Sequence, residues 1–66
     1  MEFLLDHTID DAAAKAIEHE IWTVDPDAKV QVDRSATKVQ VDSWLFAEEF
    51  IVAFADAGYG VRIRDR

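Results

Sequence analysis

One histidine and two aspartates near the start of the chain carry its clearest metal-binding chemistry. His7, Asp10 and Asp11 place an imidazole and two carboxylates on one short segment. These donors are borderline to hard, so they suit Zn(II), Ni(II) or Mg(II) rather than a soft ion such as Cu(I). Completed by water, they predict a weak site for a divalent ion. Alternatively, the aspartates serve the start of a helix, whose dipole favours anions, and the chain then binds no cofactor.

The remaining residues do not indicate catalysis. The chain has two serines, Ser35 and Ser43, and neither has a histidine obviously placed beside it to activate a nucleophile. Its two glycines, Gly58 and Gly60, do not make a phosphate-binding loop. We therefore predict that the chain is not an enzyme.

Three large aromatic residues form a second candidate site. Trp22, Trp44 and Phe46 fall near the end of one predicted helix and the beginning of the next. Phe46 stands where a helix usually carries a polar N-cap residue. The aromatics either seal the end of a small core or form an exposed patch that binds a protein partner or a second copy of the chain. We expect Trp22 to be mostly buried and Trp44 to be partly exposed, because Trp44 precedes the second helix.

Length and charge exclude several classes of partner. The 66 residues predict one domain, spanning 1–66, and the absence of cysteine excludes disulfides and thiolate ligands. A formal net charge of −7 opposes binding to nucleic acid and to anionic membranes, because both are polyanions. The apolar runs fall short of the roughly 20 residues of a membrane-spanning helix, and the chain does not start with a signal segment. We therefore expect a soluble, cytoplasmic protein.

Hydrophobic periodicity in the first part of the chain predicts a strand and a helix. Residues 1–6 alternate as a strand does, and Thr8 then suits a helix N-cap, with Asp11 three residues later as a weak capping box. Apolar residues recur at helical spacing from Ile9 to Val24, and an Asp-Pro-Asp turn at 25–27 ends the helix.

The second part of the chain completes the order of elements. The sequence Lys-Val-Gln-Val-Asp occurs twice, at 29–33 and 38–42, and predicts a β-hairpin. A second helix at 45–57, with Phe46 in its apolar stripe, and a last strand near 61–64 follow. The order βαββαβ predicts an α+β, ferredoxin-like fold in which two helices cover one face of a four-stranded antiparallel sheet.

Several of these pieces resemble a known family. Val30-x-Val32-Asp33, Val39-x-Val41 and the segment from Glu48 to Ala57-Gly58-Tyr59 are similar to the heavy-metal-associated domain, found in copper chaperones and at the N-termini of metal-transporting P-type ATPases. The resemblance covers nearly the whole chain and implies the ferredoxin-like fold. It also implies a metal loop between the first strand and the first helix, which reads Gly-Met-x-Cys-x-x-Cys in the family.

This chain departs from the family at that loop. The matching positions run from His7 to Ala13, with Asp10 at the first cysteine position and Ala13 at the second. Two thiolates can clamp Cu(I), whereas a carboxylate and a methyl group cannot. The resemblance therefore implies a small binding module that has lost its thiolate site and keeps a role in protein docking or regulation.

Two alternative functions stay open. One is a metal carrier with an altered site at His7, Asp10 and Asp11. The other is a partner-binding or self-associating scaffold that uses Trp22, Trp44 and Phe46.

Overall fold

The structure, a computed structural model, describes residues 1–64. Its elements follow the predicted order, with the second helix entered through a short 3-10 helix. In chain order they are β1 (Glu2–Leu5), α1 (Asp11–Val24), β2 (Lys29–Asp33), β3 (Lys38–Asp42), the 3-10 helix (Ala47–Phe50), α2 (Ile51–Asp56) and β4 (Val61–Arg64).

The four strands form one antiparallel sheet in the order β2-β3-β1-β4. Phe3 in β1 lies between Val39 of β3 and Ile63 of β4, so the inward positions of neighbouring strands coincide. Because side chains alternate along a strand, this register gathers the apolar residues on one face. The ferredoxin-like βαββαβ prediction is confirmed.

Both helices pack on that apolar face. Phe3, Phe50 and Phe54 are fully buried, and the Phe3 and Phe54 ring centroids lie 4.6 Å apart. Ile17 and Ile21 bring α1 into the same core. This core fixes the helix ends relative to the sheet, and thereby positions the loops that carry the candidate sites.

The predicted start of α1 is wrong. The N-cap is Asp10 rather than Thr8, since Asp10 Oδ1 accepts a 2.7 Å hydrogen bond from the Ala13 backbone amide. The Thr8 carbonyl instead accepts a bond from the Tyr59 hydroxyl, and Ile9 is buried ahead of the helix. The chain therefore continues past Thr8 to bury Ile9, and the helix begins at Asp11.

The second helix also differs from the prediction of a continuous helix over 45–57. The chain enters it through the 3-10 helix, which has a different number of residues per turn, and Phe46 points away from the predicted apolar stripe with 77% of its surface exposed. The end is as expected: Gly58 follows α2 with φ +92°, a conformation that favours glycine.

The outer face of the sheet carries ion pairs between neighbouring strands. Glu2 lies 3.0 Å from Lys38 Nζ and 3.5 Å from Arg64 Nε, on the two strands that flank β1. Hydrogen bonding to Lys38 is the largest influence holding the pKa of Glu2 below its usual value. Within residues 1–64, no helix is both long and apolar enough to cross a membrane.

Candidate functional site

Three loops meet at one end of the sheet, which we call the loop pole: residues 7–11, 34–37 and 58–60. Backbone hydrogen bonds join them to the end of β1, from Leu5 N to Thr37 O at 2.8 Å and from Asp6 N to Gly60 O at 3.1 Å. A Cβ atom at Gly60 would lie 2.9 Å from Asp6 Oδ2, so the absence of a side chain there admits the Asp6 carboxylate.

His7 is held on two sides at the loop pole. Its Nδ1 donates to Asp6 Oδ1 at 2.7 Å, because an ionised carboxylate can only accept. Its ring stacks on Tyr59, with centroids 4.0 Å apart and planes 10° from parallel.

Tyr59 in turn closes the base of the loop. Its side chain is buried, and its hydroxyl donates to Thr8 O at 2.8 Å. Burial is the largest influence raising the pKa of Tyr59, and the nearby negative charges of Asp10 and Asp6 raise it further. The phenol therefore stays protonated and keeps its donor for the loop.

The two predicted aspartate ligands have structural partners of their own. Asp10 caps α1 through Ala13, as described above, and Asp11 forms an exposed ion pair with Arg34 at the hairpin tip. The two residues that the family resemblance aligns with the cysteines are thus bonded to each other, the Asp10 carboxylate accepting from the Ala13 backbone amide.

The structure does not gather His7, Asp10 and Asp11 into a ligand set. Across residues 1–64, no three histidine, cysteine, aspartate or glutamate residues lie close enough to hold one metal ion. Metal binding by these three residues stays a prediction, and for Asp10 and Asp11 it would compete with their present partners.

The aromatic residues lie at the opposite end, which we call the aromatic pole: Trp22, Trp44 and Phe46. Trp44 and Phe46 are 83% and 77% exposed. Trp22 is 44% exposed and donates from Nε1 to Ala28 O at 2.9 Å, so it is less buried than expected. The interpretation that the aromatics seal the core is therefore wrong for Trp44 and Phe46. Their use as a binding surface stays a prediction.

A buried carboxylate fixes the backbone of the aromatic pole. Asp25, the C-cap residue of α1, is 5% exposed and accepts bonds from Ser43 Oγ at 2.5 Å and from Asp27 N at 3.0 Å. Ser43 Oγ also accepts a bond from Leu45 N at 3.1 Å. The end of α1 is thereby tied to the segment that carries Trp44.

Sequence reasoning missed the roles of Asp10 and Asp25. A signal for Asp10 was present, since aspartate is at least as good an N-cap as threonine and Ala13 lies three residues later. For Asp25 the Asp-Pro-Asp turn was recognised, but the hydrogen bond to Ser43 joins residues 18 positions apart and has no local signature.

Comparison with solved structures places the fold among metal-handling proteins. The copper chaperone Atx1 from Synechocystis PCC6803, in its Cu2 form, superposes with a TM-score of 0.88 and 31% identity over 94% of this chain and 98% of that one. A gold binding protein gives a TM-score of 0.87 and 31% identity, covering 97% and 98% of the two chains.

A domain of a larger protein is similar as well. The N-terminal domain of PacS from Synechocystis PCC6803 gives a TM-score of 0.78 and 26% identity, covering 97% of this chain and 94% of that one. No family sequence model and no curated protein matches the chain. With 31% identity to a copper chaperone over nearly the full length of both proteins, the chain belongs to the heavy-metal-associated domain family.

Proposed function

We propose that this protein is a non-enzymatic protein-docking or regulatory module in a metal-handling context, without a thiolate metal site. One observation carries the proposal: the positions that the family resemblance assigns to the two cysteines are occupied by Asp10 and Ala13, and they are joined by the hydrogen bond that caps α1. A capping carboxylate stabilises the helix only while it stays on the amide, so metal coordination would compete with the fold.

The ligand chemistry supports the same conclusion. Cu(I) prefers thiolate and thioether donors, and the sequence contains no cysteine and one methionine, Met1. Met1 lies beside Val41, where its amino group donates to Val41 O at 2.9 Å. Val41 is near the end of β3 farthest from the hairpin tip, so the one sulfur lies remote from the loop pole.

The loop can be tested by restoring the missing thiols. In competition with a strong Cu(I) chelator, we expect the native chain to leave the ion with the chelator. The double variant Asp10→Cys/Ala13→Cys should capture Cu(I) stoichiometrically, because it supplies two thiolates at the spacing that the family resemblance implies, on a fold that superposes on a copper chaperone. Each single variant is the matched control and should bind far more weakly than the double variant. Stoichiometric capture of Cu(I) by the native chain would overturn the proposal.

One observation favours the altered-site alternative. The Asp6 bond at His7 Nδ1 leaves Nε2 as the acceptor nitrogen of the neutral ring, the arrangement in which carboxylates orient metal-binding histidines. If this alternative is right, Zn(II) or Ni(II) should bind weakly at His7 and Asp10, and His7→Ala should abolish the binding. NMR shifts confined to Glu18, His19 and Glu20 on α1 would contradict it.

A further inference from the structure

The exposed aromatic surface lies in the most uniformly acidic part of the chain. Two segments, 18–28 and 42–57, carry Trp22, Trp44 and Phe46. Each segment contains four acidic residues, and neither contains lysine or arginine. Asp56 lies at the other end of α2, beside the loop pole, and Lys29 lies opposite Asp42 at the border of the aromatic pole. The exposed carboxylates that neighbour the aromatics in the chain are Asp27, Glu48 and Glu49. Exposed apolar side chains and a net negative charge therefore coincide at the aromatic pole.

Hydrogen bonds within the protein fix the backbone that carries Trp44 and Phe46. The Asp25 to Ser43 bond fixes the backbone before Trp44, and Glu49 Oε2 accepts a bond from Phe46 N at 3.2 Å. The side chains that follow these anchors are 83% and 77% exposed. A rigid backbone that presents aromatic side chains lowers the entropy lost on binding, and tryptophan is enriched at the energetic centres of interfaces.

We infer that the aromatic pole binds a cationic, amphipathic segment of a partner protein, whose apolar residues cover Trp44 and Phe46 and whose lysine or arginine side chains meet the surrounding carboxylates. The inference rests on the docking function proposed above and names its partner class. Opposite charge steers association and excludes acidic partners. Lysine and arginine also gain from lying over tryptophan rings.

Other occupants fit the charges less well. A second copy carries the same charge of −7, and on its sheet face Lys38 and Arg64 are already paired with Glu2. Anionic membranes and nucleic acids are repelled by the carboxylates around the aromatics.

The test uses a short amphipathic helical peptide with leucine on one face and lysine on the other. Two matched peptides replace every lysine with glutamate, or every leucine with serine. We expect the lysine/leucine peptide to bind, to shift the NMR signals of Trp44 and Phe46, and to bind more weakly as salt is raised. Both matched peptides should fail, because the inference requires charge and apolar contact together.

Variants of the protein locate the site. Trp44→Ser and Phe46→Ser should each weaken binding by about tenfold or more, as expected at an interface centre. Leu4→Ser, on the outer sheet face, is the control and should leave affinity unchanged. Glu48→Gln combined with Asp27→Asn should weaken binding at low salt and have little effect at high salt.

Four results would overturn the inference. The first is failure of the lysine/leucine peptide to bind, and the second is a dimer in sedimentation that buries Trp44 without any peptide. The third is binding of the protein to neutral phosphatidylcholine vesicles in preference to the peptide. The fourth is a set of peptide-induced NMR shifts confined to His7, Asp11 and Arg34. The last result would leave the proposed docking function standing. Failure of that function is detected separately, by Cu(I) capture in the native chain.

Discussion

The loop pole and the aromatic pole differ in which of their side chains are bonded within the protein and which face solvent. At the loop pole, His7, Asp10 and Asp11 are each bonded to a neighbour within the protein. At the aromatic pole, the polar group Asp25 is buried and bonded while Trp44 and Phe46 face solvent. The end where the family resemblance implies a metal loop is thus occupied by internal contacts, and the other end presents exposed aromatic side chains. Chemical type alone does not identify a site: the polar residues here have partners within the protein, and the apolar ones are exposed.

The largest effect should come from the buried carboxylate of the aromatic pole. Asp25→Ala leaves Ser43 Oγ and Asp27 N without their acceptor, and hydrogen bonds to a charged group contribute about 1.5–3 kcal/mol. We expect a loss of that size in the free energy of unfolding, measured by urea denaturation. Asp27→Ala is the exposed neighbouring control and should cost much less. Equal losses in the two variants would mean that Asp25 does not anchor this end.

The cap at the loop pole should contribute less. Asp10→Ala removes the acceptor of Ala13 N, and a lost N-cap costs about 1 kcal/mol. Thr8→Ala should be nearly neutral, because it is the Thr8 carbonyl, and not its side chain, that bonds to Tyr59. Urea midpoints of the two variants separate the two residues. A larger loss of stability for Thr8→Ala than for Asp10→Ala would mean that Thr8 caps the helix and that the Asp10 carboxylate is available as a ligand.

Tyr59 reports the closure of the loop pole through its titration. Its pKa is raised in the folded protein, chiefly by burial, so its contribution to stability is present below the pKa of an unfolded tyrosine and is lost as pH rises through the folded pKa. Because Tyr59 is the single tyrosine of the chain, its phenolate absorbance can be followed directly.

We expect the native protein to ionise at higher pH than the urea-denatured chain, and Asp10→Asn to reduce this difference without abolishing it. Coincident titrations of the native and denatured forms would show that the loop pole is open.

The smallest effect on stability should come from Trp44. Since 83% of its surface is exposed, Trp44→Ala should change the free energy of unfolding by no more than about 0.5 kcal/mol. Trp22→Ala is the matched control and should cost more, because Trp22 is half-buried and bonded to Ala28 O. Each of the variants Trp22→Phe and Trp44→Phe keeps a single tryptophan. Acrylamide should quench the fluorescence of Trp44 in the first variant more readily than that of Trp22 in the second. The reverse order would contradict the assignment of Trp44 as a surface residue.

The fold was predictable because its signals are local. The two Lys-Val-Gln-Val-Asp copies define the hairpin, and Ala57-Gly58-Tyr59 marks the turn into the last strand. The site was less predictable, because its contacts join distant residues. Tyr59 bonds to Thr8 across 51 positions and thereby holds the loop that the sequence had assigned to a helix cap. Phe46 was placed inward by assuming regular helical spacing from residue 45, and the 3-10 helix breaks that spacing.

The strand order has a consequence for how the chain folds. The β2–β3 hairpin closes across a turn of four residues, whereas Glu2 in β1 must find Gln40 and Arg64 much farther along the chain. Closing a longer loop costs more entropy, and non-local pairing slows folding. The hairpin can therefore form early, whereas β1 can pair only after β3 and β4 are available. During synthesis, the first of these strands to be made is among the last to be completed, because one edge of β1 stays unpaired until Val61–Arg64 has emerged.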